Sequence, residues 1–145
     1  MSHVAEITLE IKDLDALEKG APKLGLRLMR GQKTHRWYNR YVGDWPLPAG
    51  YTKDALGKCE HALVQIDNPT GYEIGIVKRK DKPGFALVWD FFNRGYGLQD
   101  KIGDNGGKLK QRYAAEVAIK QARRQGFRVS EKVQADGKIR LTCHR

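Results

Sequence analysis

Cysteine is scarce in this chain, and long apolar runs are missing. Cys59 and Cys143 are the only cysteines among 145 residues, whereas small secreted domains that rely on disulfides carry several pairs. No apolar run approaches the ~20 residues of a membrane-spanning helix, and the acidic, amphipathic start is unlike a signal peptide. The single Asn-x-Thr, at Asn68, is blocked by the proline that follows it. We therefore expect no membrane partner and a location in a reducing cytoplasm. If the chain is a phage protein, this is the cytoplasm of its bacterial host.

Motifs that bind nucleotides or metals, or that activate nucleophiles, are also missing. The glycine-rich connector at 93–107 contains neither phosphate-binding glycine motif in register with a strand and a helix. Cys59 and His61 lie outside any recognisable nucleophile turn. Cys143 and His144 are adjacent, so in a strand they point to opposite faces and cannot complete a tetrahedral zinc site with the first pair. The sequence predicts no metal, no cofactor and no catalytic residue.

Asp90 and a long irregular segment keep an enzyme open as an alternative. Asp90 is a single carboxylate in an apolar strand, so it needs a partner such as Arg94 or a helix terminus, or its pKa must rise. A structural hydrogen bond explains it better than catalysis does. An enzyme would use the segment 31–57 as a lid, and it would need a pocket on which His35, Asp90 or Cys59 converge.

Acidic residues are too few in the last third of the chain to balance its cations. The formal net charge is +10 and the pI is near 9.7. Residues 101–145 hold 12 Lys and Arg against 4 Asp and Glu, a surplus of +8, while residues 1–100 hold 15 against 13, a surplus of +2. A basic excess concentrated on one substructure favours a polyanionic partner, either nucleic acid or an acidic protein surface.

The chain opens with a strand and a short helix. Residues 4–12 alternate between apolar and polar side chains, which is typical of a strand with one wet face. Asp13 then supplies an N-cap for a helix, which Gly20 weakens and Gly25 ends. Residues 26–30 form either a strand or a packed loop.

Residues 31–57 form a long irregular insert, rich in basic and aromatic side chains. Such loops are uncommon in compact domains and are often functional. Arg36, Trp37, Arg40 and Tyr41 interleave cations with rings that could meet phosphates and stack on bases. The competing explanation is that the rings anchor the insert to the core, because Trp and Tyr bury the most area of any loop anchor.

Three strands joined by short turns follow the insert. Alternating patterns cover residues 59–67 and 72–78, and Asn68-Pro69-Thr70-Gly71 between them is a turn signal. Residues 85–92 are apolar on both faces, so we expect this strand in the interior of the sheet, covered on both sides. The three strands predict an antiparallel meander.

The last third predicts one long helix followed by a hairpin. Helical spacing runs through 108–125 and stops at Gly126, and the hairpin spans 127–134 and 138–144 around an Asp136-Gly137 turn. The helix is expected to keep four cations outside: Arg112, Lys120, Arg123 and Arg124. The hairpin is expected to point inward with Phe127, Val129, Val133, Ile139, Leu141 and Cys143. It is expected to point outward with Arg128, Ser130, Lys132, Gln134, Lys138, Arg140, Thr142 and His144. Like charges side by side across strands are mildly destabilising, which suggests that this basic face is used.

These elements predict a single α+β domain over residues 1–145. The expected order is β-α-(β)-β-β-β-α-β-β, with a mostly antiparallel twisted sheet and two helices packed on one face. The insert at 31–57 is the one long segment without regular structure.

Three blocks of sequence carry a family resemblance. They are Met1-Ser2-His3 with Ile11-Lys12-Asp13-Leu14-Asp15-Ala16-Leu17; Tyr72-Glu73-Ile74-Gly75-Ile76 through Val88-Trp89-Asp90; and Leu109-Lys110-Gln111-Arg112-Tyr113-Ala114 with Gly126-Phe127-Arg128-Val129 and Asp136-Gly137-Lys138-Ile139-Arg140-Leu141. Their order and spacing resemble a family of small conserved proteins of unknown function in cyanobacteria, algal chloroplast genomes, other bacteria and phages. The resemblance covers most of the chain apart from the insert, and it implies no catalytic residue.

The charge distribution favours a non-enzymatic accessory protein that binds nucleic acid through phosphates, without strong sequence preference. The expected contacts lie on the hairpin face, the helix end and the insert: Arg128, Lys132, Lys138, Arg140, Lys120, Arg123, Arg124, Arg36, Trp37, Arg40 and Tyr41. The alternative is a phage or bacterial protein-interaction module that docks on an acidic partner surface and inhibits that partner, steered by the same charges.

Overall fold

An antiparallel sheet of five strands and a separate two-stranded sheet form the framework of the computed structural model, which describes residues 2–145. The elements are β1 (Val4–Ile11), α1 (Leu14–Gly20), β2 (Leu26–Arg30), β3 (His61–Gln65), β4 (Ile74–Lys78), β5 (Phe85–Asp90), α2 (Leu98–Ile102), α3 (Gly107–Arg124), β6 (Arg128–Val133) and β7 (Ile139–His144). The larger sheet has the order β1-β5-β4-β3-β2, and β6 pairs with β7. The predicted α+β class is confirmed. Met1, in the first family block, lies outside the described residues.

The helices pack on one face of the larger sheet and bury the main core there. The core joins apolar side chains of all five strands to α1, α2 and α3 through Ile7, Ile11, Leu28, Leu63, Ile74, Ile76, Leu87, Leu17, Leu98, Ile102, Leu109 and Tyr113. Strand β5 lies between β1 and β4, and its residues 86–90 are all buried, as the two-sided apolar pattern predicted. No helix between residues 2 and 145 has the length and apolarity needed to cross a membrane.

Asp13 ties the start of α1 to α3. Its carboxylate accepts the N–H of Ala16 at 3.0 Å, as the predicted N-cap, and the ammonium of Lys120 at 2.8 Å. The Tyr113 hydroxyl accepts the N–H groups of Lys12 and Asp13 at 3.0 and 3.1 Å. The hydrogen bond from Lys120 lowers the pKa of Asp13, so this carboxylate is ionised at neutral pH. One side chain thus caps α1 and holds α3 beside it.

The insert covers the opposite face of the larger sheet. Ile74 and Ile76, on either side of Gly75 in β4, point into the core beneath the helices. Gly75 therefore faces the opposite side of the sheet. The His35 ring lies over it so closely that a Cβ on Gly75 would come within 2.5 Å of the ring. Burial lowers the pKa of His35, and its Nδ1 lies 3.2 Å from the carbonyl oxygen of Glu73. The Trp37 ring packs on Gly57 in the same way and occupies the space that a Cβ would need there.

Asp90 joins three distant parts of the chain under the insert. Its fully buried carboxylate accepts the backbone N–H groups of His3, Tyr38 and Phe92 at 2.9, 3.1 and 3.0 Å. Three N–H donors replace much of the hydration that a carboxyl group loses on burial. The expected structural hydrogen bond is therefore found, although its donors are backbone groups and Arg94 instead pairs with Asp100.

The hairpin forms its own sheet and rests on α3. The half-buried part of its inner face runs diagonally across the ribbon, from Val129 on β6 to Leu141 and Ile139 on β7. The predictions for Val133 and Cys143 were wrong, because Val133 is 58% exposed and Cys143 is also exposed. A single helix about 10 Å wide that crosses the ribbon diagonally leaves two opposite corners open. Val133 is the exposed partner of half-buried Ile139, and Cys143 is the exposed partner of half-buried Val129.

A cluster of four charged residues fixes the hairpin to the core. Glu131, in the middle of β6, points inward and accepts Arg112 at 2.8 Å and Lys23 at 3.1 Å. Lys23 also donates to the buried Glu116 at 2.5 Å, which lies 3.7 Å from Arg112. Arg112 was expected outside, yet its side chain is only 7% exposed. The carboxylates of Glu116 and Glu131 make its burial possible.

Replacing Asp90 with Ala should leave three buried N–H groups without their acceptor. Because each unsatisfied buried donor costs about 1–3 kcal/mol, we expect the free energy of unfolding in urea to fall by about 3 kcal/mol or more. Asp67→Ala is the matched control, since the Asp67 side chain is 75% exposed and solvent screens its pairing with Lys101, so we expect little change in the free energy of unfolding. Equal losses in the two variants would contradict the role of Asp90.

Replacing Glu131 with Gln should loosen the hairpin, because Arg112 loses its closest anionic partner. With the Glu131 side chain 26% exposed, we expect a loss of about 1–3 kcal/mol and faster amide exchange in β6 and β7. Glu18→Gln, which affects a surface pair with Arg30, should change neither the free energy of unfolding nor the amide exchange of β6 and β7.

The effect of Glu131→Gln should disappear in acid. The hydrogen bond from Arg112 lowers the pKa of Glu131 in the folded protein. The carboxylate therefore stabilises the fold above its unfolded-state pKa, and this contribution is lost as pH falls through the folded-state pKa. Unfolding titrations from neutral pH downward should show the two proteins converging. A constant difference at every pH would exclude ionised Glu131 as the cause.

Candidate nucleic-acid interface

The outer face of the β6–β7 hairpin carries basic and hydroxyl side chains only. Its three cross-strand pairs are Arg128 with His144, Ser130 with Thr142, and Lys132 with Arg140. All six residues are exposed. Lys138 follows the turn and is also exposed. The four cations predicted on this face therefore share one surface, and the strand pairing places Lys132 and Arg140 directly opposite each other.

The acidic residues of the hairpin do not neutralise that surface. Glu131 points into the ion cluster with Arg112 and Lys23. Asp136 lies in the turn, where its carboxylate accepts the backbone N–H of Lys138 at 3.0 Å. Within residues 2–145, no carboxylate forms an ion pair with the four cations of the face. Their charges are free to meet an external anion.

The end of α3 adds two free cations and one that is already paired. Arg123 and Arg124 are exposed and, within the described part of the chain, pair with no carboxylate. Both border a groove of about 460 Å³ between α1 and α3, together with Lys19. Lys120 also borders this groove, but its ammonium is held by Asp13 at 2.8 Å. The predicted helix-end contacts are therefore unequal, and Lys120 has a structural role.

Most of the side chains singled out in the insert anchor it, either to itself or to the β3–β4 turn. Arg36 donates to the carbonyl oxygens of Pro69 and Gly71 at 2.5 and 3.3 Å, while Trp37 packs on Gly57. The Tyr41 hydroxyl donates to the carbonyl oxygen of Trp45 at 3.1 Å. Arg40 is exposed. Anchoring thus accounts for Arg36, Trp37 and Tyr41.

The cavity beside His35 does not bring the groups considered for catalysis together. His35 borders a cavity of about 620 Å³ together with Trp37 and Glu73, and neither Asp90 nor Cys59 lines it. Burial raises the pKa of the Cys59 thiol to about 11, so it is not a thiolate at neutral pH. In the part of the chain that the structure describes, no group of three or more His, Cys, Asp or Glu residues is placed to hold a metal ion.

The cluster of Lys23, Arg112, Glu116 and Glu131 escaped sequence reasoning, although it orients the basic face. One partial signal was present, since Arg112 and Glu116 are four residues apart on α3 and can pair on one side of a helix. Another was Glu131, a single acid among the cations of β6. Alternation along 128–133 places it with Val129 on the inner face, where a charge requires a partner.

Comparison with known proteins agrees with the family resemblance. The profile of the family described as "Protein of unknown function (DUF1257)" matches residues 49–142, which include α3 and nearly all of the hairpin. The chain is also 30% identical over 146 residues to the "Uncharacterized protein ycf35" of Guillardia theta, covering 100% of this chain and 98% of that protein. No solved structure matches the chain significantly. With most of its length matched, and with a relative aligned from end to end, the chain belongs to the DUF1257 family of proteins of unknown function.

Proposed function

We propose that this protein binds nucleic acid without catalysis and contacts phosphates through the outer face of the hairpin. The observation that carries the proposal is the composition of that face. Arg128, Lys132, Lys138 and Arg140 share it with hydroxyl groups and one imidazole, and the nearest acid in β6 is turned inward. Arg123 and Arg124 add two further exposed cations in the last turn of α3.

The repulsion between like charges on this face supports a binding role. Lys132 and Arg140 are directly opposite on neighbouring strands, and like charges in that position destabilise a sheet. A phosphate backbone removes the repulsion, and the release of its condensed counterions favours association. The ion cluster beneath the hairpin holds the face in a fixed orientation, so its cations need little reorganisation on binding.

The chemistry of the face favours binding that depends weakly on sequence. Lys and Arg side chains contact phosphates, which position a protein without identifying the base. Ser130 and Thr142 can donate to or accept from any base edge. An acidic protein surface would satisfy the same cations, so the second candidate is a module that docks on such a partner. A pull-down from nuclease-treated lysate at moderate salt separates the two, because a stoichiometric protein that remains bound favours the second candidate.

Reversing three charges of the face should nearly abolish nucleic-acid binding. Lys132→Glu, Lys138→Glu and Arg140→Glu, combined in one variant, remove three phosphate contacts and add three repulsive charges. We expect affinity for a labelled oligonucleotide to fall about 100-fold or more near 0.1 M salt. The slope of log K against log salt should become shallower by about 2–3. Fluorescence anisotropy over a salt series measures both quantities.

A control with the same charge change tests whether location matters. Arg27, Lys78 and Lys82 are exposed and lie on the larger sheet and its β4–β5 turn. Changing all three to Glu gives the same net charge as the hairpin variant, and we expect a loss of affinity below about tenfold. Equal losses would show that net charge, and not this face, attracts the polyanion. If the unmodified protein fails to bind at low salt, the proposal is wrong.

A further inference from the structure

We infer that the nucleic acid is double-stranded DNA and that the β6–β7 hairpin enters its major groove. This inference rests on the proposed function and specifies the ligand of the same face. Its basis is the shape of the ribbon, the spacing of its cations and the side chains that the face lacks.

The ribbon has the dimensions of a groove-binding element. Each strand has six residues, so the ribbon is about 20 Å long with strands about 5 Å apart. The major groove of B-DNA is about 12 Å wide and accepts a two-stranded ribbon. Because β6 and β7 pair only with each other, no third strand widens the element. All six side chains of the outer face are exposed, so nothing in residues 2–145 covers it.

The order of side chains along the ribbon fits a ribbon that lies lengthwise in that groove. Arg128 lies at one end, and the pair of Lys132 and Arg140 lies four residues farther along. Four residues span about 13 Å, which along a groove corresponds to about four phosphates of one strand. The short hydroxyls of Ser130 and Thr142 lie between the cations. Cations at the two ends can thus reach phosphates while the centre approaches the bases.

Single strands and RNA duplexes fit the face less well. Proteins that bind single strands stack bases on aromatic rings, and none of the three cross-strand pairs of the outer face contains Phe, Tyr or Trp. The adjacent Phe127 is half-buried, and the guanidinium of Arg145 lies 4.4 Å from its ring centroid. The major groove of an RNA duplex is deep and narrow, so side chains do not reach its bases.

Three probes of equal sequence and length test the inference: a DNA duplex of about 20 base pairs, its single strand, and the RNA duplex. We expect the DNA duplex to bind at least about tenfold more tightly than either alternative at equal salt. Bound protein should also protect guanine N7, which lies in the major groove, from methylation by dimethyl sulfate. No binding to any probe would overturn the proposed function itself. Equal affinities, a preference for single strands or RNA, or unprotected N7 would overturn only the groove inference.

A variant with unchanged charge provides a second test. Thr142→Trp places a large ring at the centre of the exposed face without removing a cation. If the face enters the groove, affinity for the DNA duplex should fall at least about fivefold, while single strands gain a ring on which to stack. Thr70→Trp, at an exposed position in the β3–β4 turn, is the matched control and should leave duplex affinity unchanged. Unaltered duplex binding by Thr142→Trp would show that the centre of the ribbon does not approach the bases.

Discussion

The inward direction of Glu131 is the constraint on which the hairpin and its basic surface both depend. Its carboxylate reaches the buried Arg112 and the partly exposed Lys23, so the one acid of β6 stabilises these cations and leaves no carboxylate among the three cross-strand pairs on the solvent side of the ribbon. The half-buried apolar contacts with α3 alone would hold the hairpin weakly, because most of its residues are exposed. Partnered charges add directional contacts, and these fix which side of the ribbon faces α3.

The two faces of the larger sheet are covered by different kinds of interaction. The helices cover one face with aliphatic side chains, and Asp13 secures α1 to α3 at the edge of that core. The insert covers the other face with few aliphatic contacts and is held by the buried carboxylate of Asp90 and by rings seated on glycines, such as His35 on Gly75. The face covered by the helices is stabilised mainly by burial of apolar area. The face covered by the insert is stabilised by hydrogen bonds that only one backbone arrangement can satisfy.

Local patterns were sufficient for the long helix and the strands, missed the short helix α2 inside the glycine-rich connector, and were insufficient for the contacts between elements. The cap at Asp13, the stop after α3 and the turn at Gly137 follow from nearby residues, and the structure has them within one or two positions of expectation. Arg112 was misplaced because its partner Glu131 is nineteen residues away and belongs to another element. Val133 was misplaced because alternation gives the face of a residue but not how far the supporting helix extends. On the candidate surface, charge and alternation predicted the four hairpin cations, whereas the pairing of Lys120 depended on a contact 107 residues apart.

The two free cysteines differ in a way that matters for handling the protein. Cys59 is buried, and its pKa is raised to about 11, while Cys143 is exposed near the open end of the hairpin. Thiol reagents act on accessible thiolates, so a maleimide dye would attach at a single position on the ribbon without any engineering. Without a reductant, the same exposed thiol could link two molecules through their hairpins. Such a covalent dimer would be a product of air oxidation and not a physiological assembly.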